Sequence, residues 1–149
     1  MTLQIGTPAP DFSANNQNGE TLSLSHFTGK KLVLYFYPKD DTPGCTAEAC
    51  SLRDNFHDLI AKGYAILGVS PDNETKHKKF IDKYNLPFDL LADTDNAVAL
   101  AYGVWVEKSM YGRKYMGIAR TTFIIDERGN VAEIIEKVDT KNHATQIIK

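Results

Sequence analysis

Cys45 and Cys50 are the only two thiols of this chain, and both lie in TPGCTAEAC (42–50). Two cysteines so close together can be metal ligands, a structural staple or a catalytic pair. A closed zinc site needs about four ligands, usually with short knuckle spacing. The histidines His26, His57, His77 and His143 are scattered and form no H-x-x-x-H pair, so the zinc reading is poorly served. The residues around Cys45 favour nucleophilic chemistry. Thr42 reads as a helix N-cap and Pro43 as the first helical residue, where a missing N–H costs nothing. Cys45 then falls in the first turn, beside unpaired N–H groups and the positive end of the helix dipole. Both stabilise a thiolate, the nucleophilic form of cysteine.

Cys50 follows on the same predicted helix. Helical geometry puts its Cα about 8–9 Å from that of Cys45 and about 140° around the axis. A disulfide needs Cα atoms roughly 4.4–6.8 Å apart. The pair therefore cannot bond while the helix is intact, and if the two react the first turns must unwind. A permanent staple is not built this way, whereas a two-step thiol cycle can be. In such a cycle one thiol attacks an electrophile and passes through a sulfenic acid, the other condenses with it, and an external dithiol restores the pair.

The surrounding elements must bring these thiols to a site. KLVLYFY (31–37) is a continuous apolar run of the kind a strand buried on both faces shows, and Pro38 ends it. Cys45, Ala49, Leu52, Phe56, Leu59 and Ile60 then recur with helical period, predicting a helix from 43 to Gly63. YAILGVS (64–70) is the next buried strand. Residues 73–84 form a charged helix with Phe80, Ile81 and Tyr84 facing inward. FDLLAD is a short strand, AVALAYG (97–103) a short helix, and TTFIID (121–126) and VAEIIE (131–136) are strands joined by ERGN. The tail is a last helix. Asn18-Gly19 signals a hairpin turn between DFSA and TLSL near the N-terminus. Strands alternating with helices, then a closing hairpin, predict a single α/β domain, residues 1–149, with a central mixed sheet flanked by helices. In such sheets ligands gather at strand carboxyl ends, which is where the strand at 31–37 delivers Pro38–Cys45.

At 149 residues and 42% apolar, the chain is long enough for one real core. Its 17 Lys and Arg nearly balance 19 Asp and Glu, for a net charge of −2, which gives no electrostatic case for nucleic acid or acidic lipid. The start, MTLQIGTPAPDF, lacks the basic and apolar regions of a signal peptide, and no apolar run nears the roughly 20 residues that span a bilayer. The expectation is a cytoplasmic chain, where paired cysteines are more often catalytic or metal-binding than a permanent cross-link.

PKDDTPGC (38–45) fits P-x-x-x-T-x-x-C, and the chain is thereby similar to the peroxiredoxins; the pair within TPGCTAEAC resembles their bacterioferritin-comigratory, or peroxiredoxin Q, subfamily. The likeness continues through G-x-x-A-P-D-F (6–12), GVSPD (68–72), LLAD, YGVW, MYGRKYMGIART (110–121) and TFIIDERG. This resemblance implies a thioredoxin-like fold, with Cys45 as peroxidatic and Cys50 as resolving cysteine. Thr42 would hydrogen-bond the sulfur and the incoming peroxide, Arg120 would hold the thiolate and polarise the peroxide, and Pro38 would shield the sulfur from water. Hydrogen peroxide and alkyl hydroperoxides would be the substrates and thioredoxin the reductant. No metal or organic cofactor is implied, and an intramolecular pair suits a monomer or a weak homodimer.

Plainer readings stand beside these roles. Thr42 serves as an N-cap in any case, Arg120 alone reads as a surface or ion-paired residue, and Pro38 as a strand terminator. Glu48, one turn beyond Cys45, reads most simply as complementing the helix N-terminus, with proton handling as the alternative. The basic stretch KSMYGRKYMGIAR (108–120) reads as a solvated loop, part of it lining the entry to Cys45. Two other functions compete with a peroxidase: a thiol–disulfide oxidoreductase, which more usually carries C-x-x-C, and a redox sensor or holdase.

Overall fold

In the computed structural model, which describes residues 3–148, a five-stranded mixed sheet forms the centre of the fold. Its strands are β3 (Lys31–Phe36), β4 (Tyr64–Ser70), β5 (Asp89–Ala92), β8 (Thr121–Ile125) and β9 (Val131–Ile135), in the order β5-β4-β3-β8-β9. β3 runs parallel to β4 and β4 to β5, whereas β8 is antiparallel to both β3 and β9. The expected N-terminal hairpin is present as β1 (Ser13–Asn15) and β2 (Thr21–Ser23).

The period of two in a strand divides the apolar run of β3 between two cores. Leu32, Leu34 and Phe36 join one with Leu67, Val69, Leu91, Phe123 and Ile125, which α4 (Ala97–Ala101) helps to cover through Val98 and Ala99. Val33, Tyr35 and Tyr37 join the other with Cys45, Leu52, Leu59, Phe80, Ile124 and Ile147. Helices α1 (Pro43–Asp54), α2 (Phe56–Ala61), α3 (Glu74–Tyr84) and α5 (His143–Ile147) contribute to this second core. Gly68 of β4 lies opposite Tyr35 in the register, and its missing side chain leaves room for the Tyr35 ring.

Two elements differ from expectation. The helix predicted from 43 to Gly63 breaks at Asn55, whose side-chain amide donates to the Ser51 carbonyl at 2.9 Å and competes with the backbone ladder. The stretch 108–120 is no loop: β6 (Trp105–Met110) and β7 (Arg113–Ile118) pair as a separate antiparallel hairpin. Its turn residues Tyr111 and Gly112 both have positive φ, +52° and +78°, the backbone of a two-residue primed turn.

Candidate active site

α1 opens as its sequence suggests: Thr42 is extended, Pro43 is the first helical residue and Cys45 the third. Thr46 donates the first helical bond to the Thr42 carbonyl, at 2.8 Å. The Thr42 hydroxyl makes no cap bond, however. It turns back and donates to the Lys39 carbonyl at 2.9 Å, so the expected side-chain cap is absent and the hydroxyl proton is already committed.

The segment between β3 and α1 is pinned from below. Asp40 is buried, accepts from the Tyr37 hydroxyl at 2.6 Å and lies 2.6 Å from Nδ1 of His77. Nε2 of His77 lies 2.8 Å from the Leu91 carbonyl, and the Asp40 amide donates to Asp72 at 2.7 Å. Asp41 adopts φ +58° and accepts from Lys83 and from the Tyr84 hydroxyl, each at 2.7 Å. Pro38, half-buried, stands at the start of this pinned segment.

Cys45 is 1% exposed. Arg120, just ahead of β8, brings Nη2 to 3.2 Å from its sulfur and Nη1 to 2.7 Å from Oε1 of Glu48. The guanidinium fork thus joins two residues one helical turn apart, a bidentate geometry that lysine does not offer. Gly44 makes the approach possible, because a β-carbon there would lie 3.2 Å from Nη2. Burial lowers the Arg120 pKa, but the adjacent Cys45 and Glu48 side chains more than offset it and hold it above its ordinary value, so the cation is permanent.

Glu48 lies beyond the first turn of α1, fully buried and paired with Arg120, so the expected complement to the helix N-terminus is not its main contact. Burial pushes its carboxyl up to about 7 even though Arg120 pulls the other way. Its second oxygen, Oε2, has no hydrogen bond and lies 3.4 Å from Nε2 of the buried His143. Lys108 on β6 sits within electrostatic reach of Arg120 and Cys45; burial and the Arg120 cation lower its pKa. Cys50 is half-buried further along α1, and both thiols are free.

Cys45 and Arg120 therefore meet at the opening of α1, Thr42 precedes its first residue and Pro38 begins the segment leading to it, while Cys50 lies further along the intact helix. His143 and Lys108 were not singled out from sequence. No local pattern marks His143, because its neighbours come from distant segments, and Lys108 is hidden in a stretch read as loop. Among the described residues, no group of three or more His, Cys, Asp or Glu is placed to hold a metal ion, and no helix is long and apolar enough to cross a membrane.

Comparison with known proteins agrees with this geometry. The model of the AhpC/TSA family matches residues 5–134. The peroxiredoxin Bcp of Bacillus subtilis is 47% identical over 149 residues, covering 100% of this chain and 95% of its own. A solved cysteine-to-serine mutant of Xylella fastidiosa PrxQ superposes with TM-score 0.92 at 30% identity, over 99% of this chain and 94% of that one. The bacterioferritin comigratory protein of Xanthomonas campestris, solved in a study of its alkyl peroxide reduction, gives TM-score 0.89 at 34% identity, over 97% and 94%. The chain belongs to the AhpC/TSA family as a thioredoxin-fold peroxiredoxin of the Bcp/PrxQ type, a thiol-dependent peroxidase.

Proposed function

We propose that Cys45 is the peroxidatic cysteine, Cys50 the resolving cysteine, and Arg120 the cation that stabilises the charge moving between them and the substrate. The Arg120–Cys45 contact at 3.2 Å is the observation that carries this reading. The Cys45 thiolate attacks the outer oxygen of a hydroperoxide, the O–O bond breaks, and the departing alkoxide or hydroxide takes up a proton. Cys45 is left as a sulfenic acid. Negative charge grows on the leaving oxygen in that step, and fixed donors in a site shielded from water stabilise it. Arg120 and the free N–H groups of the first turn of α1 are such donors. Thr42 acts as an acceptor, because its proton is held by the Lys39 carbonyl; it aligns the peroxide O–H instead of donating to the sulfur. Pro38 contributes a wall without an N–H.

The Cys50 thiol then attacks the sulfenic sulfur, a disulfide forms and water leaves. Because α1 is continuous from Pro43 to Asp54, this step requires its first turns to unwind. A dithiol protein of the thioredoxin type reduces the disulfide by exchange. Hydrogen peroxide and alkyl hydroperoxides are the substrates, the enzyme acts in the cytoplasm as a single domain, and it completes its cycle as a monomer or weak homodimer.

The test is the mass of the intact protein after one equivalent of hydrogen peroxide, with free thiols trapped. The cycle gives loss of two hydrogens and a Cys45–Cys50 link. Cys45→Ser consumes no peroxide, and Cys50→Ser turns over once and stops at the sulfenic acid. Normal turnover of Cys50→Ser with thioredoxin overturns the resolving role.

A further inference from the structure

We propose that Glu48 and His143 hold one proton between them, on the side of Arg120 away from the sulfur, and that this proton keeps the guanidinium charge committed to Cys45. His143 is thereby a positioning residue for the peroxidase reaction. The inference rests on the assignment of Cys45 and Arg120 above.

The hydrogen-bond chain behind His143 determines its protonation. Nε2 of Gln146 donates to the Lys137 carbonyl at 2.9 Å, which identifies the other terminal atom of that amide as oxygen. The same oxygen accepts from the Asp139 amide at 2.9 Å and lies 2.7 Å from Nδ1 of His143. An amide oxygen can only accept, so Nδ1 carries a hydrogen. In a neutral ring Nε2 is then bare. It faces the Thr122 hydroxyl at 2.8 Å and Oε2 of Glu48 at 3.4 Å.

With Glu48 ionised and His143 neutral, the Thr122 hydroxyl donates to Nε2 and satisfies it, but Oε2 would be a buried charge with no donor. One added proton removes that charge. It resides on Oε2, facing Nε2: burial raises Glu48 and lowers His143, which disfavours the alternative of an imidazolium facing a carboxylate. The other titratable groups around the pair do not replace this proton. Cys45 and Arg120 are the reacting pair, Asp139 adds negative charge near His143, and Tyr35 is pushed well above its ordinary pKa and stays neutral. Lys108 lies near Arg120 and Cys45.

While the proton is present, Oε1 of Glu48 positions Nη1 as a neutral acceptor, and the Arg120 charge acts on the sulfur and the leaving oxygen. Once it is lost, a carboxylate competes for that charge. The rate of Cys45 with peroxide therefore falls as the pair titrates on the alkaline side, by roughly tenfold, the difference between a full and a shared charge-assisted bond.

Two measurements on the full-length reduced protein test this. Without any peroxide, ¹⁵N shifts of His143 and infrared difference spectra across the titration locate the proton. The expected result is a neutral Nδ1–H ring with a protonated carboxyl band that Glu48→Gln abolishes. A neutral ring with no such band, or an imidazolium facing a carboxylate, overturns the proposal. Stopped-flow rates of peroxide reaction against pH give the functional readout. The wild type shows the alkaline fall, Glu48→Gln lacks it because an amide oxygen accepts from Nη1 without titrating, and His143→Gln moves it to lower pH. If His143→Gln does not fold, the spectra and Glu48→Gln decide. An alkaline fall identical in wild type and Glu48→Gln overturns the positioning role and leaves the peroxidase assignment intact. No reaction of Cys45 with peroxide at any pH instead removes the assignment beneath it.

Discussion

Replacing Gly44 by alanine separates the stability of α1 from its chemistry. Gly44 is helical, at the second position of α1, and its φ is not among the positive ones, so alanine meets no backbone strain there. Alanine is favoured over glycine in a helix by about 0.5–1 kcal/mol, so the fold should be retained or slightly stabilised. The new β-carbon, however, would lie 3.2 Å from Nη2 of Arg120 and 3.8 Å from Cζ. The guanidinium must retreat by about 0.3 Å or more to reach an ordinary contact of ~3.5 Å. It does so along the arm that reaches Sγ of Cys45 at 3.2 Å. A hydrogen bond involving a charged group contributes about 1.5–3 kcal/mol, and losing about half of that slows attack on peroxide roughly three- to tenfold. The second step responds for a different reason. Unwinding a first turn that holds alanine costs the extra ~0.5–1 kcal/mol, which slows disulfide formation by a factor of roughly 2–5. Stopped-flow fluorescence with successive peroxide and resolution phases measures both rates, and thermal denaturation measures stability. A stable Gly44→Ala protein that reacts with peroxide at the wild-type rate would refute the role given to the Arg120 contact.

Two further outcomes are expected. Hydrogen exchange should show the amides of 43–51 losing protection on oxidation while those of β3 keep theirs; equal protection in both redox states argues against unwinding. Gly68→Ala should lower the urea midpoint by the equivalent of about 1–3 kcal/mol through overpacking, because a β-carbon there meets Leu90 Cδ2 at 2.6 Å and Tyr35 Cζ at 2.8 Å. An unchanged midpoint would mean that the Tyr35 ring does not fill the space beside Gly68.

The parts of the fold readable from sequence are those governed by local rules. The buried run of β3, the Thr-Pro-Gly-Cys opening of α1 and the Asn18-Gly19 hairpin each carry their own signal, and the structure places them as expected. The β6–β7 hairpin gave no such signal. Its outward residues Met110, Tyr111, Tyr115 and Met116 are exposed, so apolar and polar positions do not alternate, and its turn uses Tyr-Gly where Asn-Gly is the usual cue. The break at Asn55 depends on one side chain choosing the Ser51 carbonyl. The cysteine motif identified Cys45, Cys50, Thr42, Arg120 and Pro38 for scrutiny, but not how Glu48 is used. That residue reads as a helix-terminal charge until the fold closes α5 and Arg120 over it.

The pinned segment ahead of α1 has a kinetic consequence for the proposed cycle. Asp40 and Asp41 are tied to His77, Tyr37, Lys83 and Tyr84, so opening proceeds forward from Thr42. The far end of α1 remains as a template, anchored by Leu52, which is fully buried in the second core. Once the disulfide is reduced, rewinding adds residues to an existing helix and avoids the slow nucleation step. Such elongation takes on the order of nanoseconds per residue. Recovery of the peroxide-reactive form is therefore timed by thiol exchange with the reductant, and the fold adds no delay of its own.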